Sequence, residues 1–444
     1  MDNEKVKIIV TVGPASDSEA VLKKLILNGV NTFRLNFSHG SPEYFSRVIR
    51  IIRDLRSRLN KNVSIFLDLP GPKIRTGILP NGKLNILENK KYTLGLNGDI
   101  PVLGGVLSGI PLKGKISLSD GKIELKPIKR VKNGLLAKAL NSGLLLNNQS
   151  LNADGLNYEK TYPTEKDRAG IKFGLNQGIT TFALSFVSKK EDITNVRKLV
   201  GKDSILIAKI ERESALNNFD GIAGVSNVIM IARGDLGLNI DIVRLPLVQR
   251  KLIREANKRS IPVITATQVL ESMISNPIPT RAEVSDAFMA IMDGTDAIML
   301  SEETAIGDYP VKAVDTLRRL IDFNYKKLAP SRYKIGSEED ALIDEVASLS
   351  ENTKIRNIVI QTEDGKNAFR LSRYHTDANI FAITKKANIA DLLTFGRNVI
   401  PILAQDIHTG LKIIKRNYSV DKAIMVYDVP QGKKSKSSIE ILKI

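Results

Sequence analysis

Eight short apolar segments, each ending in polar residues and followed by a helix-compatible stretch, constrain this 444-residue chain more than any other feature. KIIVTV (7–12) reads as the first strand; it stops at Gly13-Pro14, and Asp17 or Ser18 can cap a helix running to about Leu27. NTFRLNFS (31–38) is the second strand. The helix after it carries Phe45, Val48, Ile52, Leu55 and Leu59 at spacings of 3, 4, 3 and 4, a single apolar stripe. VSIFLDLP (63–70) is the third strand. After an interruption the rhythm resumes with TTFALSFV (180–187), SILIAKIE (204–211), NVIMIARGD (227–235), IPVITATQ (261–268) and TDAIMLSEE (295–303). Eight strand–helix units are the arithmetic of an α/β fold, a closed (β/α)8 TIM barrel. The near-continuous apolar character of the strands fits burial on both faces.

The interruption, residues 77–153, has short Gly-punctuated segments, and GKISLSDGKIELKPIKRV reads as a hairpin turning at Ser119-Asp120-Gly121. It carries eleven Lys/Arg against four Asp/Glu, a surplus of seven positive charges. It is expected to be a small β-barrel domain inserted after barrel strand three, placed to act as a lid on the barrel mouth. The catalytic barrel then comprises residues 1–76 and 154–330. Beyond it, in residues 331–444, IRNIVIQ, NIFAITKK, NVIPILA and KAIMVYDV alternate with helical stretches, which predicts a separate open α/β domain.

Composition narrows the chemistry. With no cysteine there is no disulfide, thiolate nucleophile or thiolate metal site. His39, His375 and His408 are too dispersed for a zinc site, so a metal would sit on carboxylates, which favours Mg2+ or Mn2+. No apolar run approaches the ~20 residues needed to span a bilayer, and MDNEKVKIIVTVG lacks signal-peptide architecture. A cytoplasmic enzyme without a membrane partner is expected. The formal charge of +18 reads first as a solvated lysine-rich surface and second as an attraction for polyanionic small substrates. Without tryptophan, a zinc knuckle or an RNP-like segment, no nucleic-acid partner is expected.

In a barrel, catalytic groups come from the C-terminal ends of the strands and the loops just after them. Here strand two supplies Arg34, Asn36 and Ser38, and strand three Asp68 followed by Lys73 and Arg75. Strand four supplies Ser185, strand five Lys209 and Glu211, and strand six Arg233, Gly234 and Asp235. Strand seven supplies Thr267, and strand eight Ser301 and Glu303. The two-residue period of a strand lets Arg34, Asn36 and Ser38 face one way, and likewise Lys209 and Glu211. Glu211 and Asp235 are hard oxygen ligands, too few for a closed cage, so a metal would keep positions for substrate oxygens and water. Lys209 is a point charge suited to a phosphoryl group in transfer, and Arg34 and Arg75 offer planar forks for phosphate oxygens. Gly234 lets the amides of ARGDLG approach a carboxylate closely. A buried Lys–Glu pair alone would read as a structural ion pair; eight strands converging on one rim with this chemistry do not. No P-loop or dinucleotide fingerprint is present.

At these residues the sequence resembles pyruvate kinase, of the archaeal-like, potassium-independent type. The matching segments are VGPAS (12–16), RLNFSHG (34–40), LDLPGPKIRTG (67–77), TEKD (164–167), AKIE (208–211), ARGDLG (232–237), TATQVLESM (265–273) and IMLSEETAIGDYP (298–310). The resemblance covers the whole barrel and, more loosely, the other two domains. It implies phosphoryl transfer from phosphoenolpyruvate to ADP, giving pyruvate and ATP, in a chain that is usually a homotetramer. It implies Mg2+ (or Mn2+) on Glu211 and Asp235, and Lys209 at the phosphoryl group with Arg34, Arg75 and Thr267 as further catalytic residues. Ser185, Gly234 and Asp235 join Lys209 and Thr267 on the substrate side, and Thr267 lies where the enolate is protonated, with Ser301 and Glu303 nearby. Pro14, Arg34, Asn36, His39, Tyr44, Arg75 and Lys166 line the nucleotide side.

Departures from the family pattern carry information. Many members need K+ and have an acidic residue where this chain has Lys73; its ammonium would take the monovalent-cation role beside Asn36, Ser38 and Asp68, so no K+ requirement is expected. The usual SGET reads SEET, with Glu302 in place of glycine, which bears on local loop shape. LNNQSLNADGLNYEKTYP differs from the family's glycine-rich entry to TEKD, which points to an altered hinge. In 357–374 the effector segment has Thr362, Glu363, Asp364, Gly365 and Lys366 in place of several hydroxyls. Its two carboxylates would repel a sugar phosphate, and fructose bisphosphate activation is not expected. Two other readings compete: a citrate-lyase-type aldolase handling a pyruvate enolate on Mg2+, which would need neither Lys209 nor a basic lid, and a catalytically silent binding protein, which would have little reason to retain the rim.

Overall fold

The structure, a computed structural model, describes residues 5–102, 106–119, 121–132, 134–153, 156, 162–324, 331–427 and 438–444. Eight parallel strands close into a ring: Lys7–Thr11, Val30–Asn36, Ser64–Leu69, Thr181–Leu184, Ile205–Ile210, Val228–Ala232, Val263–Ala266 and Ala297–Leu300. The first strand pairs with both the second and the eighth, which seals the barrel without an edge.

Strand alternation sorts the side chains into two layers. Ile8, Val10, Phe33, Leu67, Leu206 and Ile229 point outward into one apolar cluster with the surrounding helices. Ile9, Phe66, Ala183, Ile207 and Met230 belong to a second cluster, the barrel interior. Following the inward register toward the C-terminal rim leads from Phe66 to Asp68 and from Ile207 to Lys209. The hydrophobic interior therefore gives way to charge along the same side-chain rows.

The expected helices form. Ser18 caps Glu19–Leu27 by accepting from Val21 N at 3.3 Å. The helix Pro42–Leu59 buries Phe45, Val48, Ile49, Ile52 and Leu55, the apolar stripe read from the sequence. Every barrel strand is shorter than its apolar segment. Ser185, Glu211, Arg233, Gly234, Asp235, Thr267, Ser301 and Glu303 lie just past the strand ends, where the backbone leaves the ladder.

Between strands three and four, residues 83–153 form a six-stranded sheet and a separate two-stranded ladder. Among the described residues no hydrogen-bonded ring closes this β segment, unlike the small barrel the sequence predicts. Its hairpin pairs Ile116–Leu118 with Ile123–Val131, Asp120 of the turn lying outside the described residues. Most of the hinge segment 154–161 and the exposed stretch QGKKSKSS lie outside them as well.

The C-terminal sheet runs Val399–Leu403, Asn379–Thr384, Asn357–Gln361, Lys422–Val426 in parallel. A fifth strand, Ile439–Lys443, that the sequence reading did not include, adds antiparallel to its edge. This sheet's core is continuous with the barrel interior: Phe395 packs against Phe66, the rings tilted at 54° with centroids 6.2 Å apart. Beside them Thr32, Ser64 and Thr394 join hydroxyls at 2.7–3.2 Å, and buried Lys7 donates to Val399 O at 2.6 Å. Among the described residues no helix is long and apolar enough to cross a membrane.

Candidate active site

Lys209, 7% exposed on strand five, is the hub of the C-terminal rim. Its ammonium donates to Ser185 Oγ at 2.7 Å and lies 2.9 Å from Glu211 Oε1 and 3.3 Å from Asp68 Oδ2. Asp68 also accepts Arg34 Nε at 2.6 Å and the Ser185 hydroxyl at 3.2 Å, while Arg34 Nη1 donates to Thr11 Oγ1 at 3.0 Å. Two cations thus face two carboxylates, which lets all four stay buried without a net charge. Burial pushes the Asp68 carboxyl up, but Lys209 and Arg34 outweigh it and hold it below the usual range. Burial likewise opposes the charge on Lys209, yet Asp68 and Glu211 keep its pKa above the ordinary value. For Glu211 burial wins over Lys209, aided by nearby Asp235, and its pKa is raised.

Glu211 spends one oxygen on the Phe186 amide at 2.6 Å. Its other oxygen, Oε1, is buried beside the Lys209 ammonium without hydrogen-bond geometry to any donor among the described residues. Oε1 thus faces that ammonium as an ion pair, and it is a hard oxygen of the kind a divalent cation takes. Asp235 follows in the helix Arg233–Asn239, with Lys73 Nζ 3.9 Å from Oδ1. The same ammonium sits 5.9 Å from the centre of the Phe186 ring, which also stacks under Arg212 at 4.6 Å. The contacts described for Lys73 therefore lie on the Asp235 side, whereas Asp68 is engaged by Arg34, Lys209 and Ser185. Among the described residues no group of three or more His, Cys, Asp or Glu could hold a metal.

The seventh-strand loop is fixed from beneath. Arg233, 5% exposed, donates to Thr267 O from Nε and Nη2 at 3.2 and 2.9 Å and to Gln268 O at 2.7 Å; its Nη1 reaches Gln249 and Asp286. Thr267 and Gln268 hold φ of 65° and 51°, a left-handed conformation that costs a β-branched residue energy and needs such a clamp. Thr267 Oγ1 accepts the Gly234 amide at 2.7 Å and donates to Ala266 O at 2.6 Å. Glu303 accepts the amides of Leu270 at 3.0 Å and Ser301 at 2.7 Å, tying the eighth-strand end to this loop. Both its oxygens are thereby used for structure, and burial raises its pKa.

A cleft of about 560 Å3 brings Lys73, Arg75 and Lys166 together with Val102 and Val106 of the inserted segment. Arg75 donates to Asn148 O at 2.9 Å. Pro14, Asn36, His39 and Tyr44 lie outside this cleft: Pro14 and His39 are exposed in the loops after strands one and two, Asn36 ends strand two with its Oδ1 accepting Ser38 N at 3.2 Å, and Tyr44 is in the first turn of the helix Pro42–Leu59. Burial, then the neighbouring Asp17 carboxylate, pushes the Tyr44 hydroxyl up to about 12, so it stays neutral. Sequence reasoning missed Asn239, whose Nδ2 donates to both Glu211 O and Asp235 O at 2.9 and 2.8 Å, and Phe186, held at φ 58°. It named Arg233 without finding its role. In the C-terminal domain Glu363 and Asp364 pair with Lys386 at 3.7 Å and Lys366 at 3.2 Å.

A closed parallel barrel with a charge-balanced lysine–carboxylate cluster at its C-terminal rim belongs to the TIM-barrel enzymes. Within that class the chain belongs to the pyruvate kinase family, a family of phosphotransferases. It matches the profile "Pyruvate kinase, barrel domain" over residues 3–314 and "Pyruvate kinase, alpha/beta domain" over residues 340–441. It is 38% identical to a pyruvate kinase of Agrobacterium vitis over 423 residues, covering 92% of this chain and 88% of that one. It is 36% identical to a pyruvate kinase of Thermotoga maritima over 461 residues, covering 99% of both. With a pyruvate kinase of Bacillus licheniformis it shares 39% identity over 400 residues, 86% of this chain and 68% of that one.

Proposed function

We propose that this chain transfers the phosphoryl group of phosphoenolpyruvate to ADP, giving pyruvate and ATP, as a glycolytic kinase in the cytoplasm. The observation that carries the proposal is the Lys209 ammonium held between Asp68, Glu211 and Ser185 at the rim of a barrel of this family. Lys209 stabilises the phosphoryl group as its bond to the enol oxygen breaks and its bond to an ADP oxygen forms. Loss of a cation in such a role costs roughly 10³-fold or more. Arg34 is pinned on Asp68 and Thr11 and acts as a fixed positive charge beside the transfer path. Glu211 and Asp235 hold Mg2+ (or Mn2+), which when bound neutralises substrate carboxylate and phosphate oxygens. Ser185, Gly234, Asp235 and Thr267 lie against the substrate. Because the Thr267 hydroxyl is committed to Gly234 and Ala266, a water beside it delivers the proton to the enolate carbon.

Arg75 and Lys166 reach the nucleotide phosphates, and Pro14, Asn36, His39 and Tyr44 flank the rest of the nucleotide. Lys73 supplies the monovalent charge beside Asp235, in the region of Asn36, Ser38 and Asp68, so the enzyme is of the archaeal-like, potassium-independent type. The chain divides into the barrel (1–76 and 154–330), a lid (77–153) and a C-terminal unit (331–444). It assembles as a homotetramer; exposed Ile242, Val243, Leu247 and Ile278 beside the helices Leu245–Lys258 and Arg281–Asp293 favour self-association. The test is a lactate dehydrogenase-coupled assay with Mg2+ in buffer free of K+ and Na+. Pyruvate formation that requires ADP supports the reading; none from folded, Mg2+-loaded protein with or without K+ refutes it.

A further inference from the structure

The TEKD segment (164–167) contributes Lys166 to the cleft, but its aspartate is directed away from solvent and does more than cap a helix. Asp167 is fully buried at the third position of the helix Glu165–Asn176. One oxygen, Oδ2, closes a capping box: it accepts Thr164 N at 2.8 Å and Thr164 Oγ1 at 2.7 Å. The other, Oδ1, accepts the amide of Gly71 at 2.9 Å, a residue 96 positions earlier in the chain. Capping needs only the first oxygen. The second reaches across to the loop that leaves barrel strand three after Leu69.

Gly71 has φ +63°, and a Cβ there would lie 2.4 Å from Ser185 O, so the chain passes against the fourth-strand end as only glycine can. Its carbonyl accepts Lys73 N at 3.0 Å, and the next carbonyl, of Pro72, accepts Arg212 Nη2 at 3.1 Å. The Gly71 amide, taken by Asp167, is a further anchor of this tight turn. Lys73 and Arg75 emerge directly from it, and Lys166 precedes Asp167 by one residue on the helix. All three cations of the 560 Å3 cleft are thus hung from two segments that meet at a single carboxylate.

We propose that Asp167 is a positioning residue that fixes the spacing of Lys166 against Lys73 and Arg75, and so sets recognition of the nucleotide phosphates without touching them. The proposal rests on the assignment of Arg75 and Lys166 to the nucleotide side. A carboxylate suits the role because its two oxygens accept from both segments at once. An asparagine of the same shape presents an NH2 to one of them, setting donor against donor and opening the joint.

Asp167→Asn separates this from a purely structural role. Misplacement on the ångström scale affects the group that is misplaced, so the KM for ADP rises about tenfold or more while the KM for phosphoenolpyruvate moves less than about twofold. Thr164→Val is the control: it removes the cap hydroxyl, lowers the melting temperature, and leaves Gly71 on Asp167, so the ADP KM stays within about twofold of wild type. Equal rises in both KM values for Asp167→Asn, or an ADP KM in Thr164→Val that matches Asp167→Asn, overturn the proposal. If Asp167→Asn does not fold, fragment-resolved amide exchange on the wild-type enzyme decides: a Gly71 amide exchanging at the rate of an open loop sinks the clasp, and a protected one sustains it. If Lys166→Ala leaves the ADP KM unchanged, the nucleotide-side assignment has failed; the exchange result still reports on the clasp.

Discussion

Replacing Lys209 by methionine tests the core of the site, because the side chain keeps its volume and loses only its charge. The ammonium sits 2.9 Å from Glu211 and 3.3 Å from Asp68, both carboxylates essentially without solvent contact. Removing one partner of a buried ion pair costs about 3–5 kcal/mol, since the charge left behind can be neither solvated nor paired. The low end applies here, because Arg34 remains on Asp68 at 2.6 Å and leaves Glu211 as the main orphan. For a folding unit of barrel size, about 3 kcal/mol corresponds to a melting temperature lower by roughly 6–12 °C at pH 7. Glu211 already has a raised pKa, and without Lys209 it rises further. A folded-state pKa above the unfolded value favours the folded state as pH falls, so the deficit of Lys209→Met shrinks between pH 7 and pH 5. Activity in the coupled assay drops by roughly 10³-fold or more. Lys209→Arg, which restores charge with the wrong shape, recovers stability more than turnover. A Lys209→Met protein that melts with wild type at pH 7 and turns over within tenfold of it would refute the assignment of both roles.

Other perturbations follow from the same geometry. Asp68 has a folded-state pKa below its unfolded value, so its stabilisation is present above about pH 4 and is lost as pH falls through the folded pKa; the difference in melting temperature between wild type and Asp68→Asn therefore narrows in acid. Lys73→Glu exchanges the ammonium 3.9 Å from Asp235 for a like charge and creates dependence on added K+, read as a steep rise in turnover on titrating KCl into K+-free buffer; a variant indifferent to K+ contradicts the role given to Lys73. Arg233→Met releases the carbonyls of Thr267 and Gln268, lowering kcat about tenfold or more with a smaller change in the KM for ADP. Glu211→Gln weakens Mn2+ binding measured by electron paramagnetic resonance, independently of turnover.

The barrel was legible because its strands are buried on both faces and read as apolar runs, and because period-two alternation carries Lys209 and Asp68 onto the inward rows. The strand ends were less legible. Apolar character continues past the last ladder hydrogen bond, so Ser185, Glu211 and Thr267 read as strand although the backbone has already turned. The fifth C-terminal strand, IEILK, is short and alternates with charge, a weak signal beside the lysine-rich stretch before it. Within the site, sequence named charged residues but not all of the contacts that hold the loops around them. Asn239 bonds two carbonyls by its side chain, and Arg233 clamps a loop 34 residues away; neither contact has a signature at fixed spacing. Asp167 stood inside a quoted motif and still gave no hint of Gly71.

The inner layer of the barrel is finished by a residue that does not belong to it. Phe395 packs on Phe66, and the hydroxyls of Thr32 and Ser64 meet Thr394. During synthesis from the N-terminus, the eighth strand is complete at Leu300, about 95 residues before Phe395 is made. A nascent chain stalled between these points would show parallel strands with an unsealed, protease-sensitive base.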